Sequence, residues 1–379
     1  MRRFFCIPIL LILIACLQSC FRSESDSSLF DDVPIVFDID TVNKVALKLG
    51  DIRYVPLETN DDCLIGDIDE VQIRNGKIYI ADFDKAMSLF VFDINGKFLY
   101  KISKKGQGPG EYISMYGFDI HKNGDIYIFD PFGKKILIYS IEGKCLSEIN
   151  FDYYFKDFCL VENKIYLFEV RASGGKKTAD LAVYNMEDKR TTNLLSEKKH
   201  LFRSPFKFGS SSFFYSSNNI YYAPMFSPII FAVNEDNITP AIGVKNLHLL
   251  PEHVLDEWME EQNKNRLIEL IQKTDYFTIH TLVFETDEYI TFQSKKGSRT
   301  LGVMLYNKTT KSAYTIKESS FFDTIGCGIV QGSTGKEFFG LINLMPELEQ
   351  HKRLLETREE LKNRHEEDNP VIVFFNLDM

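Results

Sequence analysis

The sequence predicts an all-β fold, a six-bladed β-propeller of four-stranded antiparallel blades with two helical insertions, closed by N- and C-terminal strands. Residues 76–102 and 124–149 share one pattern: a strand ending in Asp, a short loop, a strand, a glycine-centred turn and a further strand. A preceding strand joins each through "RNGK" or "KNGD", and Asn-Gly between alternating apolar residues is a strong hairpin signal. Such units in series are typical of a propeller, whose blades bury their faces against their neighbours.

Fainter copies of this unit extend the series. The aligned strand centres are Ile78, Ile126, Ile165, Ile220 and Tyr289. A sixth blade can be assembled from "TIGCGIV", "EFFGLIN" and the terminal "NPVIVFFNL", with "DIRYVPLE" near the N-terminus as its remaining strand. This exchange between the chain ends would close the ring and remove exposed sheet edges. Two stacked β-sandwiches are the alternative arrangement of the same strands.

Two segments interrupt the strand pattern. Within residues 251–273, Val254, Leu255 and Trp258 have the spacing of an amphipathic helix. The second segment, about 346–366, is rich in charged residues and begins at Pro346. We expect a helix in each, and the sequence leaves open whether these helices pack on the ring or on a partner.

The N-terminus has the pattern of an export signal. "MRRFFCIPILLILIACLQSC" places two arginines before an apolar run that is too short for a membrane span of about 20 residues, and small residues before a cysteine. It resembles the lipobox of bacterial lipoproteins, which implies a lipid on Cys20, or on Cys16 in the alternative frame. We therefore expect a signal peptide over 1–19, a tether over 20–32 and a propeller over 33–379, with the chain anchored to a membrane of the cell envelope. An ordinary secretory signal is the other interpretation, and the side of the outer membrane is left open.

The net charge bears on whether the chain binds nucleic acid, and the cysteine content on whether it has disulfides or a zinc site. The net charge of −10 argues against nucleic acid, because phosphate binding needs a basic surface. Downstream of the signal, the cysteines are Cys63, Cys145, Cys159 and Cys327. None belongs to a CxxC pair and three have apolar neighbours, so buried free thiols are favoured over disulfides and no zinc site is indicated.

A family resemblance accompanies these patterns. "GQGPGEYISMYGFDIHKNGDIYIFDPFGKKILIYS" resembles the repeat of NHL propellers, which belong with the TolB-like propellers. The lipobox, "LGDIRYVPLET", "GQGPGEY" and "NPVIVFFNL" resemble the six-bladed propeller lipoproteins of Bacteroidetes-type bacteria. In this setting "GQGPGEY" turns the chain between two blades. A phosphate-binding loop is the alternative, but no helix follows it and no Lys-Ser/Thr closes it.

The sequence shows no recognisable catalytic motif. Neither HExxH nor GxSxG occurs, and no catalytic, cofactor or metal residue is predicted. Asp82, Asp130 and Glu169 end equivalent strands, and the NHL resemblance implies that this carboxylate braces the loop that follows. Six-bladed lactonases hold calcium in the central channel with oxygen ligands, so a calcium-dependent hydrolase or lactonase is the alternative function.

Basic residues recur in one set of loops. In a meander propeller, the loops after the second strand and those between blades lie on the same face. They carry a predicted ligand face consisting of Lys104, Lys105, Tyr112, Phe132, Lys134, Lys135, Arg171, Lys295, Lys296 and Arg299, together with Lys176, Lys177, Lys198, Lys199 and Phe226. Such a face would concentrate anionic partners. It predicts non-enzymatic recognition of a protein, a glycan or another anionic ligand, and solubilising surface lysines are the alternative.

Overall fold

The computed structural model describes residues 28–195, 213–215, 219–235, 237–261 and 263–379. Their strands form six sheets, each built on four antiparallel strands, and two of the sheets carry a fifth strand. The strands β1 to β26, in chain order, are Ile35–Asp38, Asn43–Lys44, Leu49–Pro56, Glu70–Arg74, Lys77–Asp82, Ser88–Asp93, Phe98–Ile102, Phe118–Ile120, Ile126–Asp130, Lys135–Tyr139, Cys145–Asn150, Asp157–Val161, Lys164–Arg171, Lys177–Asn185, Arg190–Leu195, Phe213–Tyr215, Ile220–Tyr222, Ile229–Val233, Ile238–Lys245, Phe277–Glu285, Tyr289–Lys296, Arg299–Asn307, Ser312–Ile316, Gly332–Ser333, Phe338–Ile342 and Val371–Leu377.

The predicted six-bladed propeller is confirmed. Blades 1, 2 and 3 are β4–β7, β8–β11 and β12–β15, blades 4 and 5 are built on β16–β19 and β20–β23, and blade 6 has the order β24-β25-β26-β3. Six separate apolar clusters each join two consecutive blades, and the last joins blade 6 to blade 1. Faces packed serially around a circle exclude the stacked-sandwich alternative.

Strand exchange between the chain ends closes the ring, as predicted. The N-terminal strand β3 is the outer strand of blade 6 and pairs antiparallel with the C-terminal strand β26, with Tyr54 opposite Val373. Residues 371–375 are fully buried, because this apolar run packs on both of its faces.

One strand of blade 6 was predicted wrongly. "TIGCGIV" is not its inner strand: the segment begins inside a helix, and the inner strand is the two-residue β24. A helix forms there because Phe321 and Ile325, one helical turn apart, are both buried against the cluster between blades 5 and 6.

The N-terminal segment also extends two other blades, which the sequence did not predict. Strand β1 pairs parallel with β19 on the outer edge of blade 4, and β2 pairs parallel with β23 on blade 5. Ahead of β1, Leu29 and Phe30 pack against the cluster between blades 3 and 4. These contacts cover two sheet edges that would otherwise be exposed.

Four α-helices lie in the described part of the chain. We name them α1 (Glu252–Glu260), α2 (Lys264–Lys273), α3 (Ser319–Ile325) and α4 (Glu349–Thr357). The single helix expected over 251–273 is therefore two, and α3 was not expected. The break precedes α2 because Asn263 Oδ1 accepts hydrogen bonds from the first amides of a new helix. Helices α1 and α2 pack on the ring, through a cluster that includes Trp258, Ile271 and Ile279.

Candidate ligand-binding face

We call one side of the ring the loop face. It consists of the connections after each second strand and of the connections between blades. The first group is 83–87, 131–134, 172–176, 223–228, 297–298 and 343–370, and the described part of the second group is 57–69, 103–117, 151–156, 246–276 and 317–331. The four helices all fall within these connections, so the loop face carries every helical insertion in the described chain. The opposite face consists of short hairpin turns.

The glycine-rich loop is a rigid corner on the loop face. The amides of Gly108 and Gly110 donate to the carboxylates of Glu111, at 2.9 Å, and Glu148, at 2.6 Å. Because carboxylates of the chain itself take these donors, the loop offers no phosphate cradle at these two positions. Gly110 has a φ of +72°, which a side chain would strain.

The side chain of Tyr112 holds the glycine-rich loop from the protein interior, and the prediction that it belongs to an exposed ligand face was wrong. The side chain is fully buried, and its hydroxyl donates to Met87 O at 2.6 Å while accepting from the amide of Lys104 at 3.0 Å. Burial raises the pKa of Tyr112 to about 12, so the hydroxyl keeps its proton.

Asp130 holds two loops of this face together. Its fully buried carboxylate accepts hydrogen bonds from the amides of Ile113 (2.8 Å), Ser114 (3.1 Å) and Gly133 (2.9 Å), and from Ser114 Oγ (2.8 Å). Ile113 and Ser114 belong to the connection before blade 2, and Gly133 belongs to the loop after the second strand of that blade. We call these four hydrogen bonds the Asp130 clamp. The expected bracing role of this carboxylate is confirmed.

The equivalent carboxylate of blade 1 acts in the same way, whereas that of blade 3 has different partners. Asp82 accepts from four amides, those of Gly66, Asp67, Lys85 and Ala86. Buried Glu169 instead forms ion pairs with Lys156 and Arg171. In the described chain no group of three or more His, Cys, Asp or Glu side chains is placed to hold a metal ion.

Four apolar side chains in the loop-face connections around blade 2 are exposed. We call Ile113, Tyr116, Phe132 and Tyr154 the aromatic patch; they are 40%, 50%, 68% and 40% exposed. The rings of Tyr116 and Phe132 meet edge to face, with centroids 6.2 Å apart. Lys134 lies beside them, its ammonium 4.2 Å from the ring centroid of Tyr154.

Exposed apolar side chains concentrate on the loop face as a whole. Ten large hydrophobic residues of the described chain are exposed, and seven of them lie in loop-face connections. The other three lie on outer strands, and the hairpin turns of the opposite face carry none among these ten. Since the rings of Tyr116 and Phe132 meet and their two loops are held by the same carboxylate, these two side chains form a surface and are not scattered singly.

The predicted cations divide into two groups. Lys134 lies on blade 2 beside Tyr154, and Lys104 and Lys105 are exposed in the connection between blades 1 and 2. Lys295, Lys296 and Arg299 belong to blade 5, across the ring. The structure therefore does not unite them into one compact patch.

Several predicted cations already have partners. Lys135 pairs with Glu148 at 3.0 Å and is nearly buried, and Lys296 pairs with Asp275 at 3.2 Å. Arg171 is held by Glu169, and Lys177 pairs with Asp180. These side chains are less available to a ligand than the sequence suggested, whereas Lys176 and Arg299 are exposed.

The aromatic predictions had mixed outcomes. Phe132 is exposed as expected, but Phe226 is buried against Trp258, with ring centroids 5.9 Å apart, so its proposed exposure was wrong. Sequence reasoning missed Tyr116 and Tyr154. Their signal was an aromatic residue in a connection between strands, outside the alternating pattern of the blades. Cys16, Cys20, Lys198 and Lys199 lie outside the described residues.

The thiol prediction is confirmed for Cys63, Cys159 and Cys327, which are buried and free. Cys145 is also free but exposed, on the outer strand β11. Cys145 is accessible because an outer strand of a blade is not covered by a further strand.

Comparisons with known proteins agree with the fold. The family model described as "Domain of unknown function (DUF4934)" matches residues 35–376. A search of curated proteins found no match. A candidate exported protein from Bacteroides fragilis NCTC 9343 is similar in structure, with a TM-score of 0.73 and 20% identity over 91% of this chain and 99% of that one. A member of the DUF4221 family from Bacteroides vulgatus ATCC 8482 has a TM-score of 0.52 and 11% identity, covering 89% and 98%. At these identities the likeness establishes the propeller fold.

Proposed function

The chain belongs to the DUF4934 family, and from that premise we propose that it is an exported, lipid-anchored recognition module of the bacterial cell envelope. The N-terminal signal pattern and the fold shared with a candidate exported Bacteroides protein support the location. No helix in the described residues is long and apolar enough to cross a membrane. The module binds without catalysis, and its ligand is an acidic glycan held at the aromatic patch.

The observation that carries this proposal is the clamped pair of exposed rings. Tyr116 and Phe132 come from two different loops, and the buried Asp130 carboxylate fixes both loops through their backbone amides. Leaving two such rings in solvent forgoes the free energy of burying them, roughly 1.5–3 kcal/mol for a side chain of this kind. A rigid, exposed pair of this type binds with little loss of conformational entropy.

An acidic glycan matches the chemistry of the patch and its neighbours. Sugar rings present apolar C–H faces that pack on aromatic rings, and their carboxylates or sulfates pair with ammonium groups. Lys134 is adjacent to the patch, and Lys104 and Lys105 precede Ile113 in the same connection. Their charge would attract a polyanion even though the chain as a whole is acidic.

The test measures binding of polygalacturonate, with neutral dextran as the uncharged probe, by isothermal titration at low and moderate salt. We expect wild-type protein to bind polygalacturonate and the combined Tyr116→Ala and Phe132→Ala variant to lose at least tenfold in affinity. Lys134→Ala should weaken binding less and reduce its salt dependence. Lys97→Ala and Leu146→Ala are matched controls, because these residues are exposed away from the loop face.

The outcomes distinguish glycan from other partners. Equal affinity of the patch variants and the wild type would reject the patch as the site. Binding of an acidic protein that the patch variants abolish, with no binding of any polyanionic glycan, would assign the site to a protein partner instead.

Lipid anchoring is tested separately. Metabolic labelling with a fatty acid should mark the wild-type protein and fail for Cys20→Ala. Retention of label in Cys20→Ala and its loss in Cys16→Ala would select the alternative frame. Absence of label in the wild type would favour an ordinary secretory signal.

A further inference from the structure

Three basic side chains lie around Tyr154, in the connection that leads from blade 2 to blade 3. The first is Lys134, whose ammonium is 4.2 Å from the centroid of the Tyr154 ring. Lys134 follows Phe132 by two residues in the loop 131–134. The same short loop therefore supplies a ring to the pair that Phe132 forms with Tyr116 and a cation to Tyr154.

The second basic side chain, Arg171, is placed beside Tyr154 by the backbone. The two residues exchange both backbone hydrogen bonds, from Tyr154 N to Arg171 O at 2.8 Å and from Arg171 N to Tyr154 O at 2.7 Å. Residues that pair in this way lie directly opposite each other, with side chains on the same face and Cβ atoms about 4.5–5.5 Å apart. The register of β13 shifts between Val170 and Arg171, and an irregularity of this kind changes the direction of the side chains around it.

The third basic side chain, Lys156, shares a carboxylate with Arg171. Glu169 is 1% exposed and forms ion pairs with both, whereas the side chains of Lys156 and Arg171 are 30% and 37% exposed. Arg171 donates from Nε to Glu169 at 2.9 Å, from Nη1 to Gly175 O at 3.1 Å and from Nη2 to Glu169. Two of its five N–H groups have no partner among the described residues. Both cations are thus held from the interior and still reach solvent.

Positive charge is in excess around Tyr154. The three cations face two acids, the buried Glu169 and the exposed Asp152. Burial lowers the pKa of Lys156; its ion pair with Glu169 opposes this effect, and the nearby charge of Arg171 adds to it. A bound anion would stabilise the charged form of this ammonium.

We propose that Lys134, Lys156 and Arg171 form a carboxylate subsite beside Tyr154, which binds the charged groups of a uronate glycan. This inference rests on the proposed function and divides its ligand between two places. Tyr116 and Phe132 take an apolar sugar face, and the subsite takes the carboxylates. The planar guanidinium suits a carboxylate, and its fixed position reduces the conformational entropy lost on binding. The ligand would then span the connections on both sides of blade 2.

The experiment compares polygalacturonate with its methyl ester, which has the same sugar rings and no charge, by isothermal titration on the full chain. We expect the wild type to bind the acid at least tenfold more tightly than the ester. Lys156→Ala and Arg171→Lys should each lower affinity for the acid about fivefold and leave affinity for the ester unchanged. Both variants should fold, because Lys156→Ala leaves Glu169 paired with Arg171 and Arg171→Lys keeps the charge.

Matched controls lie on the hairpin-turn face. Lys122→Ala breaks an exposed ion pair with Glu162, and Arg190→Lys makes the same exchange as the test variant at another exposed position. Neither should change affinity for either probe. A second measurement uses the wild type alone. Acylation of Lys156 by an N-hydroxysuccinimide ester, followed by peptide mapping, should slow about fivefold when polygalacturonate is bound, whereas acylation of Lys122 should not slow.

The inference is overturned if the ester binds as tightly as the acid, if either Lys156→Ala or Arg171→Lys binds the acid with wild-type affinity, or if polygalacturonate leaves the acylation of Lys156 unchanged. Any of these results, together with loss of binding in the combined Tyr116→Ala and Phe132→Ala variant, would reject the subsite and leave the aromatic pair as the site. Failure of the wild type to bind polygalacturonate would overturn both.

Discussion

The Asp130 clamp offers the most direct test of how the sequence builds the loop face. Replacing Asp130 with Asn keeps the shape of the side chain and removes its charge. The amide nitrogen is expected to take the place of Oδ2, which has one donor, Ile113 N, and to leave Oδ1 with its three donors, Ser114 N, Ser114 Oγ and Gly133 N.

The magnitude follows from these contacts. One charge-assisted hydrogen bond is lost, about 1.5–3 kcal/mol, and the amide of Ile113 then faces another donor with no acceptor. The three remaining bonds change from charged to neutral and weaken further. Together these effects predict that Asp130→Asn lowers the free energy of unfolding by about 3–4 kcal/mol, a large loss for one substitution.

Urea unfolding, followed by circular dichroism, measures this change. Asp93→Asn is the matched control: Asp93 lies in a partly exposed turn of the opposite face, where it caps two amides at 2.9 Å, and its replacement should cost less than about 1 kcal/mol. Hydrogen exchange should also quicken at Ile113 and Gly133 in Asp130→Asn, and affinity for polygalacturonate should fall. A loss of stability no larger than that of Asp93→Asn would refute the clamp.

Three further predictions concern packing, pH and thiol reactivity. Gly96→Ala should destabilise the protein by at least about 3 kcal/mol more than Gly76→Ala in urea unfolding. Both glycines have positive φ, but a Cβ at Gly96 would lie 2.3 Å from Pro56 O, whereas one at Gly76 meets nothing within 4 Å. Similar costs would contradict close packing between blades 1 and 6 at Gly96. Burial lowers the pKa of His280 to about 3. Below about pH 6.5 the unfolded chain therefore binds a proton at His280 that the folded protein does not bind. His280 should lower the free energy of unfolding by about 1.4 kcal/mol for each pH unit of acidification in this range. Unfolding of wild type and His280→Gln at pH 6.5 and 5.0 checks this, since an unchanged pH slope in the variant would exclude His280 as its source. Iodoacetamide should modify exposed Cys145 in the native protein and Cys159 only after unfolding, as peptide mapping would show. The reason is that burial makes the Cys159 thiol inaccessible and raises its pKa well above its usual range. Labelling of Cys159 in the native protein would contradict its burial.

Local sequence signals were sufficient for most of the blades. Asn75-Gly76 and Asn123-Gly124 fall in tight turns that join the first and second strands of blades 1 and 2, as their hairpin chemistry predicts. Asp130 could be recognised as a brace because its place at the end of a second strand matches the NHL repeat that this segment resembles. These features depend on neighbours a few residues away, so a single sequence contains the relevant information.

Long-range packing decided the rest. Strands β1 and β2 are short and polar in part, and they pair with blades 4 and 5 only because the chain runs along those outer edges before it reaches blade 6. The inner strand β24 is two residues long, and its position depends on the closure of the ring.

The sequence by itself determined the six repeated blades, their closure by exchanged ends, and which loops share a face, because hairpin turns and alternating apolar residues act over short distances. The tertiary structure alone decided which side chains on that face are available: Tyr112 and Phe226 are buried, Lys135 is paired, and Tyr116 and Phe132 are brought together in solvent. Exposure and pairing depend on neighbours contributed by other loops and blades, and those neighbours are fixed only when the ring is assembled.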